Sequence, residues 1–515
     1  MVPWELGSVF KDSHFCTSKC RLPFALVLIC AFILPACNAG GKNELLLESE
    51  NGALIYAALN PVTRELQARV DTFNANHEDA RIEIRDYSDE GGIERFRLEL
   101  MAGRVPDIME LHRHAWFENE YGTWDATSFG ISLDADLGSP RNHNQVDMTA
   151  DYWMPYRQLV QKGYLEDLWP YIENDPELGR EAVLEVPLKA AEVNGGLYML
   201  FKEFSISTLI GPERIVGNRY GWTLEELMES FSAMPDGSSI LRYDAVRSDV
   251  FSNLIAPTLN RYVDWETGQC SFDSGEFRNL LGFLKSFPEE NKSFLSNEDR
   301  QDEVIWRILH GQQMLTPVTI SWLSDIPYED TYFGETAAYV GYPTADGSFG
   351  SSFLLQGDVL AVSSACEDKE AAWDFVRQLI TRKYNYNAMK KTRRYRSLAI
   401  PVNRKDYEMG NRVDMVLLQQ VFDITQDVGD FPPDIRFSPA ANGSGIKVPL
   451  DVATERDLQR FEALINNTTQ LYWPDDTLSD IVWEAAGPYF AGDKTMDETI
   501  ALVQDRVTLY INEQK

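Results

Sequence analysis

Polar and aromatic side chains able to grip a ligand follow one apolar run of this chain: His112, Arg113, His114 and Trp116. The run itself, 107–111, is suited to a buried strand, and Gly103 and Pro106 end the helical pattern before it. Open sheets bind ligands beyond the carboxyl ends of their strands. We therefore expect the loop after residue 111 to contact a polar ligand.

Metal chemistry is a weaker interpretation of these residues. His112 and His114 alternate along a strand and share a face, but no third ligand stands near them in the sequence. Asp134 and Asp136 precede Gly138 without the closing glutamate of a calcium loop. The sequence also lacks a nucleophile elbow, a phosphate-binding glycine loop, a His-Glu-x-x-His motif and a Cys-x-x-Cys motif. We expect no metal and no cofactor.

The loop needs a rigid frame, and the preceding residues predict one. Residues 53–59 form a short apolar run typical of a buried strand, and Val62, Leu66, Val70 and Phe73 then repeat at helical spacing. Polar and apolar residues alternate over 81–87, which is typical of a strand. A second amphipathic helix follows and leads into the strand at 107–111. The segment is therefore predicted to be a βαβαβ unit with parallel strands.

Length and charge limit the classes of function. A chain of 515 residues is too long for a single core and predicts two or three domains. Its formal net charge of −33 argues against nucleic acid as a partner, because phosphate binding needs a basic face. Basic residues cluster only within 390–396, which we interpret as a solvated helix end or loop.

The N-terminus has the features of an export signal. Basic residues precede an apolar run at 22–33, which is too short to span a membrane. Leu34-Pro35-Ala36-Cys37 follows and resembles the bacterial lipobox, in which the cysteine is lipidated. Cys30 is the competing cysteine, but it lacks a small residue before it. We expect residues 1–36 to be a signal peptide, Cys37 to carry the lipid anchor, and residues 37–51 to be a polar tether. Cys270 and Cys366 are then expected to be two buried thiols rather than a disulfide.

Several stretches resemble one family. They are Ala-Gly-Arg-Val-Pro-Asp-Ile at 102–108, Gly-Tyr-Leu-Glu-Asp-Leu at 163–168, Gly-Gly-Leu-Tyr at 195–198, Trp-Thr-Leu-Glu-Glu-Leu at 222–227 and Ala-Ala-Trp-Asp-Phe at 371–375. Together they resemble family 1 of the bacterial extracellular solute-binding proteins, the substrate-binding lipoproteins of ABC sugar transporters. The resemblance implies an α/β, two-lobe, periplasmic-binding-protein-like (class II) fold with a three-segment hinge.

The same resemblance implies where the chain passes between lobes. Crossings are expected near 195–201, near 339–343 with 361–364, and near 398–403. Lobe 1 is then predicted to comprise 52–200 and 343–398, and lobe 2 to comprise 201–342 and 399–515. The segment 118–152 shows no sustained periodicity and is expected to be a functional or mobile loop.

Sugar-binding pockets combine aromatic faces with planar polar groups. Carried over from the family pattern, the expected ligand-binding residues are Asn60, His114, Trp116, Glu203, Trp322, Tyr342 and Trp473. Trp322 follows a strand end and is the foremost of them, and core packing is its alternative role. For the other residues, ligand contact and structural roles stay open.

The predicted function is that of a lipid-anchored receptor on the extracellular face of the cell membrane. It is expected to be a monomer and not an enzyme. The resemblance implies that it captures a carbohydrate, in particular an oligosaccharide, and delivers it to ABC transporter permease subunits. The alternative is a surface glycoside hydrolase or a glycan-binding lipoprotein without a transport role, since paired carboxylates could cleave a glycosidic bond.

Overall fold

The structure is a computed structural model of the chain. It describes residues 52–89, 91–113, 116–119, 122–125, 146–149, 152–241, 246–265, 267–289, 307–308, 310–381, 399–412, 414–415, 434–436, 447–449, 453–473 and 475–513. The predicted signal peptide, the tether, Cys37, the basic cluster within 390–396 and most of 118–152 lie outside these residues.

A mixed sheet forms the centre of the described chain. The strands are β1 (Leu54–Ala58), β2 (Ile82–Asp86), β3 (Ile108–Glu110), β4 (His112–Arg113), β5 (Trp116–Asn119), β6 (Gly122–Asp125), β7 (Val146–Thr149), β8 (Tyr152–Trp153), β9 (Leu200–Pro212), β10 (Val263–Asp264), β11 (Gln269–Cys270), β12 (Thr316–Ile320), β13 (Ala337–Tyr339), β14 (Ser352–Val362), β15 (Ile400–Pro401), β16 (Asp434–Arg436), β17 (Lys447–Pro449) and β18 (Gln470–Leu471). The main sheet has the order β12-β9-β14-β3-β1-β2, with β13 and β15 on β9 and β18 on β14. The remaining strands form small separate sheets.

The predicted βαβαβ unit is confirmed. Strand β1 lies between β2 and β3 and pairs with both in parallel, with Tyr56 opposite Ile84 and Ile108. Gly103 has φ 76°, the left-handed conformation that a residue just past a helix end adopts and that glycine reaches without a Cβ clash. The carboxyl ends of β1 and β3 therefore meet at one edge of the sheet.

Helices cover the sheet and build the rest of the fold. They are α1 (Arg64–Asn76), α2 (Gly92–Met101), α3 (Tyr156–Gln161), α4 (Trp169–Asn174), α5 (Glu185–Ala190), α6 (Glu213–Val216), α7 (Leu224–Ser232), α8 (Arg247–Val250), α9 (Gly275–Lys285), α10 (Asp325–Phe333), α11 (Lys369–Val376), α12 (Gln378–Thr381), α13 (Glu455–Asn467), α14 (Asp476–Ala491) and α15 (Met496–Glu513). Thr223 and Thr454 mark the starts of α7 and α13, because each threonine forms a reciprocal capping box with the residue three positions on.

Apolar side chains of the described residues pack into two hydrophobic cores. Core 1 surrounds β1, β3 and the first half of β9, and includes α11 and Phe461 of α13. Core 2 surrounds α7, α9, α14 and α15, and includes the fully buried Trp222. Trp222 therefore has a structural role, and its indole N–H donates to the carbonyl of Gly341 at 2.9 Å.

The two cores share part of the sheet. Along β13, Ala337 and Tyr339 belong to core 1, whereas Ala338 belongs to core 2. Because successive side chains of a strand point to opposite faces, the cores lie on opposite faces at this end of the sheet. The α/β architecture is thus confirmed. The division into two lobes that move as bodies stays a prediction, since packing in one conformation groups residues by contact and not by motion.

Two predicted crossings lie side by side. The start of β9 pairs with Leu360 of β14, and Glu203 pairs with Pro401 of β15. The crossing predicted near 339–343 with 361–364 is divided: 361–364 directly follows Leu360, whereas Tyr339 pairs with Ile210 near the other end of β9.

The two described cysteines are free. Cys366 is buried as expected, but the expectation of a second buried thiol is wrong, because Cys270 is only partly buried. Its Sγ lies 3.4 Å from Oγ1 of Thr508 at the edge of core 2.

None of the described helices has the length and apolarity needed to cross a membrane.

Candidate functional site

A buried carboxylate organises the strand ends where β1 and β3 meet. Oε2 of Glu110 accepts hydrogen bonds from the backbone N–H groups of Leu59 and Asn60 and from Nδ2 of Asn60, each at 2.8 Å. Oε1 accepts the hydroxyl of Tyr56 at 2.8 Å. The pKa of Glu110 is raised to about 7: burial and the negative charge of Asp358 raise it, and the hydrogen bonds from Asn60 and Tyr56 partly offset the rise.

Asn60 therefore connects two loops. Its Nδ2 donates to Glu110 and also to the carbonyl of His112, again at 2.8 Å. The side chain is buried and lies at the strand end where the sequence placed it. Both amide N–H groups are used within the protein, so Asn60 holds the loop in place, and ligand contact by Asn60 stays a prediction.

The loop after β3 is tightly held where the structure describes it. His112 and Arg113 are buried and form β4, which pairs with Trp153 and Tyr152 of β8. Nη2 of Arg113 donates to the carbonyl of Ser88 at 2.7 Å, and burial lowers the pKa of its guanidinium. His114 lies outside the described residues. Trp116 begins β5 and pairs with Asp125 and Thr149, but its side chain is not described.

Glu203 and Tyr342 are buried at the sheet. Oε2 of Glu203 accepts the backbone N–H of Ala399 at 3.2 Å, and Oε1 lies 3.2 Å from Nζ of Lys202. Tyr342 belongs to core 2, and its hydroxyl lies 3.1 Å from Oγ of Ser207. Both side chains thus brace β9, and a ligand role for either stays a prediction.

Trp322 follows the end of β12, as the resemblance implied. One carboxylate oxygen of Asp325 accepts the backbone N–H groups of Ser321 and Trp322, at 2.7 and 2.9 Å, and fixes the turn. The Trp322 side chain is only partly buried, so it is not sealed inside a core. One turn on, burial and the negative charge of Asp325 raise the pKa of Glu329 to about 8.

A cavity of about 520 Å³ lies where both cores contribute walls. Its described lining comprises Ser248, Phe251, Ser252, Ala256, Leu259, Asn260, Tyr472, Trp473, Asp475, Leu478, Ser479, Asp480 and Trp483. Trp473 packs on core 1, whereas Phe251 and Leu478 belong to core 2. Of the predicted residues, Trp473 lines this cavity, and Asn60, Glu203, Trp322 and Tyr342 are not among the described residues of its wall.

Trp473 is held through both its side chain and its backbone. Its ring centroid lies 5.6 Å from that of Tyr156 in core 1, and its carbonyl accepts Nδ2 of Asn260 at 2.8 Å. On the opposite wall, the ring of Trp483 lies 4.9 Å from that of Phe251. Two aromatic walls of this kind can stack on the apolar faces of a ring-shaped ligand.

The polar groups of the cavity are hydroxyls, an amide and carboxylates. None of the described lining residues is basic. Asp475 is the N-cap of α14, and its Oδ1 accepts the N–H of Leu478 at 2.8 Å and the hydroxyl of Tyr510 at 3.0 Å. Asp480 is exposed at the rim. The arrangement suits a hydroxylated ligand that is neutral or positively charged.

Sequence reasoning missed most of this wall. Phe251 lies in a π-helical turn, Phe251–Ile255, which continues into a 3-10 segment, Ala256–Tyr262, that carries Asn260. Such irregular turns lack the regular hydrophobic spacing that reveals an α-helix in a sequence. Trp483 stands in the amphipathic pattern of α14 and resembles a core residue there.

Across the described ranges, no group of three or more His, Cys, Asp or Glu side chains is placed to hold a metal ion. His112 pairs within β4 and β8, as described above, and its neighbour His114 is outside those ranges.

Among the comparisons with known proteins, only solved structures gave matches. No model of a protein family matches the chain, and no curated protein does so either. Among solved structures, the chain is similar to a periplasmic oligogalacturonide-binding protein from Yersinia enterocolitica, at 12% identity over 90% of this chain and 99% of that one, with a TM-score of 0.48. The sugar-binding protein MalE from Xanthomonas citri matches at 12% identity over 90% and 98% of the two chains, with a TM-score of 0.46. A cyclic alpha-maltosyl-1,6-maltose binding protein from Arthrobacter globiformis matches at 14% identity over 90% and 99%, with a TM-score of 0.42.

Proposed function

We propose that this chain is a lipid-anchored extracellular receptor that captures a carbohydrate, in particular an oligosaccharide, and delivers it to the permease of an ABC importer. The observation that carries the proposal is the cavity lined by Trp473 from the side of core 1 and by Phe251 and Trp483 from the side of core 2. A ligand held there touches both cores at once.

Binding in such a cavity follows from the chemistry of its walls. The indoles of Trp473 and Trp483 offer faces to the C–H surfaces of a sugar ring. Ser252 and Asp480 offer oxygen atoms to its hydroxyl groups. Because the ligand contacts both walls only when they are close, it stabilises the closed arrangement relative to the open one. The permease is proposed to recognise that closed arrangement.

The lobe bounds 52–200 with 343–398, and 201–342 with 399–515, stay a prediction from the sequence. They place every described lining residue of the cavity in lobe 2, whereas packing divides that lining between the two cores. We therefore propose that the two cores are the bodies that close on the ligand. Trp322 and Trp116 are proposed as further aromatic contacts, and the chain is proposed to act as a monomer without enzymatic activity.

A thermal-shift screen of the purified protein over neutral oligosaccharides tests the proposal. A ligand that binds only the folded state raises the unfolding temperature in a concentration-dependent way. The same incubations are analysed by chromatography for shortened glycans. A rise in unfolding temperature with intact glycan supports the receptor, shortened glycan supports the hydrolase alternative, and no shift with any glycan refutes carbohydrate capture.

The anchor has its own test. Replacing Cys37 by Ala is expected to abolish incorporation of a labelled fatty acid into the protein in the expressing bacterium, because the lipidated cysteine is lost. The matched Cys30→Ala variant is expected to incorporate the label. If both variants incorporate the label, Cys37 is not the anchor.

A further inference from the structure

Two segments of the chain pass from one core to the other next to each other. The first runs between Tyr342 of core 2 and Phe349 of core 1. The second runs between Ile465 of core 1 and Leu478 of core 2. We call them passage 1 and passage 2. Any relative movement of the two cores must be absorbed partly in these segments.

The passages are joined where they leave core 1. Strand β18 in passage 2 pairs in parallel with the start of β14, with Gln470 opposite Ser352. The backbone N–H of Tyr472 then donates to the carbonyl of Phe353 at 2.8 Å. Trp473, the aromatic wall of the cavity, follows directly.

Asn260 and Arg261 connect both passages to core 2. Arg261 stands between Leu259 and Tyr262, whose side chains belong to that core. Its Nη1 and Nη2 donate to the carbonyls of Pro343 and Gly350, at 3.3 and 2.9 Å, at the two ends of passage 1. Its Nε donates to Oε1 of Gln470 in passage 2 at 3.0 Å.

The neighbouring Asn260 adds a bond to the same passage. Its Nδ2 donates to the carbonyl of Trp473 at 2.8 Å. Two consecutive residues of one short 3-10 segment thus hold both passages. The flat, forked guanidinium is suited to this task because its donors point in several fixed directions, which a lysine ammonium cannot match.

We propose that Asn260 and Arg261 form an interpassage tie that positions Trp473 and limits how far the two cores separate. Arg261 is thus a positioning residue for ligand capture. The role of the tie in ligand capture rests on the proposed function, in which separation of the cores opens the cavity. Without the tie, passage 2 is free to move with core 1, and the wall that carries Trp473 moves with it.

The test compares the ligand-free full chain with the variants Arg261→Lys and Arg247→Lys by hydrogen–deuterium exchange and small-angle X-ray scattering. Arg247 is a matched control, because it is also partly buried and also donates to two backbone carbonyls, those of Leu284 and Phe287. Both of these residues pack in or against core 2, so Arg247 does not bond to either passage. In Arg261→Lys, the amides of 470–473 are expected to exchange roughly tenfold faster or more. The radius of gyration is expected to rise above that of the wild type.

Arg247→Lys is expected to leave the amide exchange rates at 470–473 and the radius of gyration unchanged. Equal exchange in the Arg261→Lys variant and the wild type, or an equal effect of both substitutions, overturns the tie. Should Arg261→Lys fail to fold, Gln470→Ala decides, because Gln470 is exposed and its removal takes away one acceptor of Arg261 without opening the buried site. Faster exchange at 471–473 in that variant supports the tie, and unchanged exchange refutes it.

The measurement needs no ligand. A chain that binds no carbohydrate can still show the tie, and that result would remove the proposed function alone. A chain that binds carbohydrate with unchanged exchange in the Arg261→Lys variant would remove the tie alone. Adding the bound glycan from the thermal-shift screen then gives a second readout. Tryptophan fluorescence on binding is expected to change less in Arg261→Lys than in Arg247→Lys.

Discussion

Nδ2 of Asn60 lies 2.8 Å from Oε2 of Glu110 and 2.8 Å from the carbonyl oxygen of His112. One amide thereby joins the loops that follow β1 and β3. The carboxylate at its centre is buried, and its pKa is raised to about 7. Protonation of Glu110 is consequently linked to the stability of the strand-end loops.

Stability is expected to fall as pH rises from about 4.5 to 7. In this range Glu110 is deprotonated in the unfolded chain but still protonated in the folded chain. The free energy of unfolding therefore falls as pH rises, and the fall ends near pH 7, where Glu110 also deprotonates in the folded chain. A shift of this size corresponds to a few kcal/mol, roughly 3. Glu329, with a pKa raised to about 8, and Asp406, with a pKa raised to about 6, act in the same direction. Thermal unfolding between pH 5 and 8 measures the slope.

The variant Glu110→Gln is expected to flatten part of that slope, because glutamine does not titrate. Glu99→Gln is the matched control, since Glu99 also accepts a tyrosine hydroxyl, that of Tyr87, but is only partly buried. The control is expected to keep the slope of the wild type. An unchanged slope in Glu110→Gln would show that Glu110 is not a source of the pH dependence.

Loss of either aromatic wall is expected to weaken carbohydrate binding. Trp473→Ala should lower the affinity about tenfold or more, because stacking contributes about 1 kcal/mol beyond the buried area. Trp483→Ala should act in the same direction through the opposite wall. Titration calorimetry measures the affinity. Trp373→Phe, within core 1 and away from the cavity wall, is the control that should bind like the wild type. Equal affinities of all variants would place the ligand elsewhere.

The cavity is expected to discriminate by charge. Its described lining has carboxylates and no basic residue, so a glycan of uronic acids should bind more weakly than a neutral glycan of equal length. Asp480→Asn is expected to reduce the difference a few-fold at low salt, because exposed charges interact weakly. Asp497→Asn, at an exposed aspartate paired with Arg278, should leave the difference unchanged. Tighter binding of the acidic glycan to the wild type would contradict the assignment of this cavity.

Glycine at residue 350 is expected to be required for packing. A Cβ there would lie 1.9 Å from the carbonyl oxygen of Tyr342, which is backbone and cannot move aside easily. Gly350→Ala should therefore cost at least about 2 kcal/mol of unfolding free energy. Gly410→Ala, in the helical run 404–412 with open space at its Cβ, should be neutral or stabilise the fold by up to about 1 kcal/mol. Chemical denaturation of both variants measures the difference, and a stable Gly350→Ala variant would contradict the close contact.

The sequence by itself determined the local elements. The apolar run at 53–59 and the helical spacing from Val62 to Phe73 predict β1 and α1, because hydrophobic periodicity follows directly from strand and helix geometry. Capping residues such as Thr223 and Thr454 marked helix starts for the same reason, since a cap bonds within a few residues along the chain. The parallel direction of the first three strands followed too, because parallel neighbours need helical crossovers.

The tertiary structure alone decided which side chains meet. Asn260 contacts Trp473 and Phe251 contacts Trp483 across more than two hundred residues of sequence, and no short-range pattern records such pairs. The same holds for Glu110, whose pKa is raised by burial and by the charge of the distant Asp358. Nor could spacing predict that the side-chain amide of Asn60 donates its hydrogen bonds to groups of the protein itself. Packing of distant segments sets burial, charge and hydrogen bonding, and these are the properties on which a binding site depends.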